Sequence, residues 1–205
     1  REHKAAIKYF ERALEYSDPA EHDYIFLDIA IEYERLQQYQ DAIDVLHRAL
    51  QTNKNNEAAL YELGRCYDAL GATQASIDAY LKFIDEQPYS STAWYNLGIA
   101  YSKQKKYEKA IDAYEYSLAI EPTFASSLFN LGNTYMNMQE YVKAEEAYRT
   151  CLLHDEPNPE LYCCLGASLE RQRLFDDALT FYKDAVKIDP LWDEGYYGLA
   201  VCLTE

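Results

Sequence analysis

The chain repeats itself every 34 residues, and no other feature constrains its fold as tightly. The stretch AWYNLGIAY, from Ala93, returns as SLFNLGNTY from Ser127, LYCCLGASL from Leu161 and ALYELGRCY from Ala59. Fainter copies are IFLDIAIEY from Ile25 and GYYGLAVCL from Gly195. A fixed period of this length marks a solenoid, in which each unit leans on its neighbours and all share one continuous core. Between the copies runs a second pattern: YEKAIDAYEYSLAIEP from Tyr107, YVKAEEAYRTCLLHDE from Tyr141 and FDDALTFYKDAVKIDP from Phe175. Its apolar residues recur at three- and four-residue spacing, which gives a helix one apolar face. Each repeat therefore reads as two antiparallel helices joined by a short turn near QKKY, MQEY or RLF. Pro88, Pro122 and Pro190 cannot continue a helix interior and mark the exit from the second helix.

Composition agrees with an all-helical reading. Seven Gly and six Pro leave little room for the many turns of an all-β chain. The net charge of -16 opposes nucleic acid, whose phosphates need clustered Lys and Arg, and opposes anionic membrane surfaces for the same reason. It favours protein partners carrying basic segments. No apolar run approaches the length of a membrane span. The five Cys (Cys66, Cys151, Cys163, Cys164 and Cys202) are odd in number and lack CxxC spacing, so they indicate neither a disulfide framework nor a zinc site. They read as small packing residues, and a reducing, cytoplasmic compartment fits them best. His3, His22, His47 and His154 form no ligand pattern, and no phosphate loop or nucleophile motif is present. No catalytic residue, metal or cofactor is expected.

The repeat resembles the tetratricopeptide repeat (TPR), whose signature is W-x2-L-G-x2-Y, then A-x3-F, then P. In the copy starting at Ser91 it is met by Trp94, Leu97, Gly98, Tyr101, Ala110, Tyr114 and Pro122. The resemblance covers essentially the whole chain and implies an all-α, right-handed α-solenoid superhelix of antiparallel helix pairs. It divides 1–205 as a single array: the second helix of a partial repeat at 1–20, full repeats at 23–56, 57–90, 91–124, 125–158 and 159–192, and the first helix of a partial repeat at 193–205. The cut repeats at both ends read as a fragment of a longer array. Two extra residues in YSDPAEHDY should alter the local stacking. The small column of the first helices (Gly64, Gly98, Gly132 and Gly166, with Ala30 and Ala200) is expected to face that of the second (Ala42, Ala110, Ala144 and Ala178, with Ser76). Such facing would let the helix axes approach closely.

In the family, first helices line a concave groove that commonly takes an extended peptide or a partner helix. Carried onto this chain, the groove residues are Tyr61, Arg65, Tyr95, Asn96, Lys103, Phe129, Asn130, Asn133 and Asn137. An Asn amide offers a donor and an acceptor, so spaced amides can hold the backbone of an extended chain without reading its sequence. Aromatic rings add contact area at little cost in rotamer entropy. Asp28, Glu34, Glu62 and Asp68 flank this stretch on one side, and Glu160, Glu170 and Glu194 on the other. The reading is a non-catalytic interaction scaffold for a protein or peptide with basic segments. Alternatives are the substrate-recruiting arm of a larger enzyme, such as a glycosyltransferase or kinase, and an array that forms homo-oligomers through its exposed repeat ends. The column of Tyr61, Tyr95 and Phe129 holds no Lys, which argues against a clamp for the acidic tails of chaperones.

Overall fold

A computed structural model describes residues 2–204. These residues form twelve α-helices and no strand. In chain order they are α1 (Glu2–Leu14), α2 (His22–Arg35), α3 (Tyr39–Thr52), α4 (Glu57–Ala69), α5 (Thr73–Glu86), α6 (Ser91–Lys103), α7 (Tyr107–Ile120), α8 (Ala125–Asn137), α9 (Tyr141–His154), α10 (Pro159–Arg171), α11 (Phe175–Ile188) and α12 (Asp193–Thr204). The second helices α7, α9 and α11 begin at the residues where the second sequence pattern begins, and each stops before or beside its exit turn. No helix among the described residues is long and apolar enough to cross a membrane.

The helices fall into two compact units, one ending at Gln104 and carrying α1 to α6, the other beginning at Lys105 and carrying α7 to α12. Within each unit every helix packs on the next in sequence, and first helices also touch first helices: α2 on α4, α4 on α6, α8 on α10 and α10 on α12.

Local chemistry repeats with the same period. Asn56, Ser90 and Asn158 stand just before α4, α6 and α10, and each side chain accepts a hydrogen bond from the backbone N–H three residues on. These caps satisfy an amide that a helix start otherwise leaves unpaired. At the turns inside the helix pairs, Gln37, Gly71, Lys105, Gln139 and Arg173 all adopt left-handed backbone, with φ between 58° and 63°. The residue after each of Gln37, Gly71, Gln139 and Arg173 donates its N–H five residues back, to Tyr33, Tyr67, Tyr135 and Leu169, which closes a Schellman turn. The two extra residues before α2 wind into a short 3-10 turn, Pro19–Glu21, capped by the Asp18 side chain.

The glycine column does not face the alanine column as expected. It faces a tyrosine one turn further along the second helix. A Cβ added to Gly132 would fall 2.5 Å from Tyr148 Cε1, and one on Gly166 would fall 2.8 Å from Tyr182 Cε1. Tyr148 and Tyr182 are buried, and it is their rings that occupy the space glycine leaves. Ala42, Ala144 and Ala178 are fully buried in their own right.

Candidate functional site

The expected groove residues divide between the two units. In the first, Tyr61 and Arg65 come from α4, and Tyr95, Asn96 and Lys103 from α6. A pocket of about 90 Å³ brings Tyr61, Arg65, Tyr95 and Asn96 together, with Asp68 and Ile99 on its wall and Gly64 and Tyr80 at its base. Tyr61 is 51% exposed and presents its ring to solvent. Tyr95 and Asn96 are buried, at 8% and 6%. Asn96 Nδ2 donates to the Leu60 carbonyl at 3.2 Å, an acceptor it shares with the Tyr80 hydroxyl at 3.1 Å. The amide therefore ties α6 to α4. Gly64 permits this, since a Cβ there would meet both Tyr80 Oη and Asn96 Cγ.

Charge gathers on the same side. Arg65 bridges two carboxylates, Glu62 at 2.9 Å and Glu34 at 3.5 Å. Burial, and then the Glu34 carboxylate beside it, push the Glu62 carboxyl above its ordinary value, while Arg65 pulls it back in part. Asp28 is raised in the same sense, by burial first and by Glu32 second. Glu32 in turn holds His3 at 2.6 Å and also engages Arg35. Lys103 reaches Asp68 at 2.5 Å. Four acids of α2 and α4, Glu32, Glu34, Glu62 and Asp68, thus share Arg35, Arg65, Lys103 and His3 among them.

In the second unit, Phe129, Asn130, Asn133 and Asn137 lie on α8. Phe129 packs at a tilt against Tyr148, with ring centroids 5.9 Å apart, and belongs in part to the core. Asn130 donates to the Ser126 carbonyl at 2.9 Å, and Asn137 to the Asn133 carbonyl at 3.0 Å, both one turn back on their own helix. Asn133 differs: its Oδ1 accepts from the Tyr148 hydroxyl at 2.7 Å. That bond orients the half-buried amide, its oxygen turned to Tyr148. The four cysteines of this unit are free, and burial holds Cys151, Cys163 and Cys164 as thiols, pushed up to about 11, 11 and 12. They pack and do not form a reactive pair.

Sequence reasoning did not single out Phe83. In the column 49, 83, 117, 151, 185 every other member is small and fully buried: Ala49, Ser117, Cys151 and Ala185. One Phe in a column of Ala, Ser and Cys is a signal the sequence already carries.

Models of the tetratricopeptide repeat match residues 27–91, 91–124 and 125–158. Among curated proteins no sequence relative matches. Among solved structures the chain is similar to MamA, at 27% identity over 82% of this chain and 92% of that one, with a TM-score of 0.67. It shares its fold with TTC0263, a thermophilic TPR protein of Thermus thermophilus, at 22% identity over 89% of this chain and 100% of the other, TM-score 0.65. It shares it also with YrrB, described as a TPR protein with an unusual peptide-binding site, at 15% identity over 92% and 96% of the two chains, TM-score 0.66. The periodic caps, the Schellman turns and the tyrosine seated on glycine follow the same 34-residue rule as the matched segments, and the chain belongs to the tetratricopeptide-repeat proteins.

Proposed function

We propose that the chain is a non-catalytic protein-interaction scaffold whose first-helix face takes an extended peptide, and that on α2 and α4 this peptide presents Lys or Arg. The observation that carries the reading is the crowding of carboxylates there. Burial and the neighbouring Glu34 carboxylate disfavour charge on Glu62, burial and Glu32 do the same to Asp28, and Arg65 serves both Glu34 and Glu62. An incoming cation would relieve this repulsion and gain a charge-assisted hydrogen bond. Tyr61 supplies an exposed aromatic surface beside the acids. In the second unit, taken by itself, Asn133 on α8 offers an amide donor to a peptide carbonyl, with Asn130 and Asn137 one turn to either side. Tyr95 and Asn96 support the face from beneath.

The test is a fluorescence-anisotropy titration with two labelled octapeptides, one alternating Lys or Arg with Leu and Tyr, the other carrying Glu in place of every cation. The basic peptide is expected to bind, more weakly as salt rises, and the acidic one to show no saturation. Glu34→Gln/Glu62→Gln is expected to weaken the basic peptide by about tenfold. Equal affinity for both peptides, or a double variant that binds as the parent does, overturns the reading.

A further inference from the structure

On the opposite, second-helix side of the first unit lies a cavity of about 330 Å³ between α3, α4 and α5. Leu50, Leu63, Ala79, Tyr80 and Phe83 line it, and His47, Lys54 and Lys82 stand around it together with Glu86. Its origin is traceable to the sequence. Where Ser117 and Cys151 sit flush against the first helices, bonding to Ser127 Oγ at 2.8 Å and to the Ala125 carbonyl at 3.4 Å, Phe83 brings a ring too large for that slot. The helix carrying it stands off. At Gly132 and Gly166 it is the tyrosine ring that presses on glycine, whereas at Gly64 only the hydroxyl of Tyr80 arrives, 2.8 Å from the Cβ position, and the ring carbons lie further out. The gap under α5 is the cavity.

Its chemistry differs from the rest of the chain. In a molecule with 35 acids against 19 Lys and Arg, the cavity is lined by three basic side chains (His47, Lys54 and Lys82) and a single acid, Glu86. Glu86 is engaged by Lys54 at 2.7 Å. His47 meets the Tyr67 hydroxyl at 3.2 Å and lies within the fields of Asp44 and of Lys82. Among the described residues no carboxylate stands in ion-pair contact with the Lys82 ammonium, although its charge acts with Lys54 on Glu86, one turn along α5. A largely apolar pocket with a few polar groups at its edge is the usual form of a small-molecule site, and this one is at the small end of the range.

We propose that this cavity binds a small carboxylic acid with an apolar body, the body lying between Leu63, Tyr80 and Phe83 and the carboxylate meeting Lys82. A ligand of about ten to twelve non-hydrogen atoms fills such a volume, with a Kd on the order of 10⁻⁴ M. The site is separate from the first-helix face and does not rest on the peptide-binding reading.

The probes are 4-phenylbutyrate and its neutral counterpart 4-phenylbutan-1-ol, titrated into the 15N-labelled chain and followed by amide chemical shifts. Shifts are expected at Leu50, Leu63, Ala79 and Phe83, with the acid bound at least about fivefold more tightly than the alcohol. Lys82→Ala, a change at an exposed position, should remove that difference and leave the alcohol unaffected. Ala79→Phe should fill the cavity and abolish both. Equal binding of acid and alcohol by the parent chain, an acid affinity untouched by Lys82→Ala, shifts that map to Tyr61 and Arg65, or no saturation by either probe overturns the proposal. The Lys82 comparison decides the matter even if Ala79→Phe fails to fold.

Discussion

Asn56 joins two elements through one side chain. Its Oδ1 caps α4 by accepting from the Ala59 N–H at 3.0 Å, and its Nδ2 donates at 3.0 Å to Asp23, which is 1% exposed at the start of α2. Asn53, at the end of α3, donates to the same carboxylate oxygen at 2.8 Å. Asn56→Ala removes a cap and one of two donors to a buried carboxylate, so it should destabilise the first unit by roughly 2–3 kcal/mol in urea unfolding. Gly132→Ala drives a Cβ into the Tyr148 ring and should cost about 1–3 kcal/mol, measured the same way. His47 answers to pH. Burial holds its proton affinity below the ordinary value, with Lys82 adding to the effect and Asp44 opposing it. The unfolded chain then binds the proton first as pH falls, so the contribution is full above about pH 6.5 and is lost progressively below it. His47→Gln should flatten the fall in stability between about pH 6.5 and 5 relative to the parent. At this scale the sequence is unevenly legible. Gly and Tyr columns were visible as periodic letters, but their partnership was not, because periodicity gives the face of a residue and not what stands opposite. Likewise Asn96 is buried in a column where Asp28 is exposed and Glu62 and Asn130 are half-buried. Its burial arises because Gly64 opens room beneath it, a contact between residues 32 apart.

Helices were the most legible elements, since two independent signals, apolar spacing and exit prolines, agree on them. The turns inside the pairs were less so. Four of the five left-handed positions hold Gln, Lys, Gln and Arg, and only Gly71 announces the conformation by its identity. A side chain there is strained on the order of 1 kcal/mol. Gln139→Gly and Arg173→Gly should therefore each raise stability by roughly 0.5–1 kcal/mol, and Gly71→Ala should lower it by a similar amount, as read from urea midpoints at unchanged slope. Stabilisation by the Gly71 substitution would contradict this account. Phe83 acts at the same scale: one ring alters how a whole helix rests on its partner. Phe83→Ala should let α5 settle toward α4, which would shrink the cavity and abolish 4-phenylbutyrate shifts while leaving basic-peptide binding intact.

For the whole molecule, 35 acids against 19 Lys and Arg mean that self-repulsion opposes folding. Much of it acts between exposed groups and is open to screening, so raising salt from about 20 mM to 0.5 M should raise Tm by several degrees, on the order of 3 °C or more. A fall in Tm would show that the ion pairs of α2, α4 and α6 outweigh the repulsion. Composition made this balance legible, whereas the division at Gln104 was not, because the repeat runs through it without a change in residue character. The small buried column that Phe83 interrupts has a further consequence. Positions 49, 117, 151 and 185 are equivalent rungs of the sequence repeat, and each is filled by a small residue buried within its own unit. A repeat protein of this kind can therefore acquire a small-molecule site at one rung by a change of one side chain, without rewriting the surface through which it meets other proteins. Recruitment of ligands and recruitment of partners can then diverge independently along the same chain.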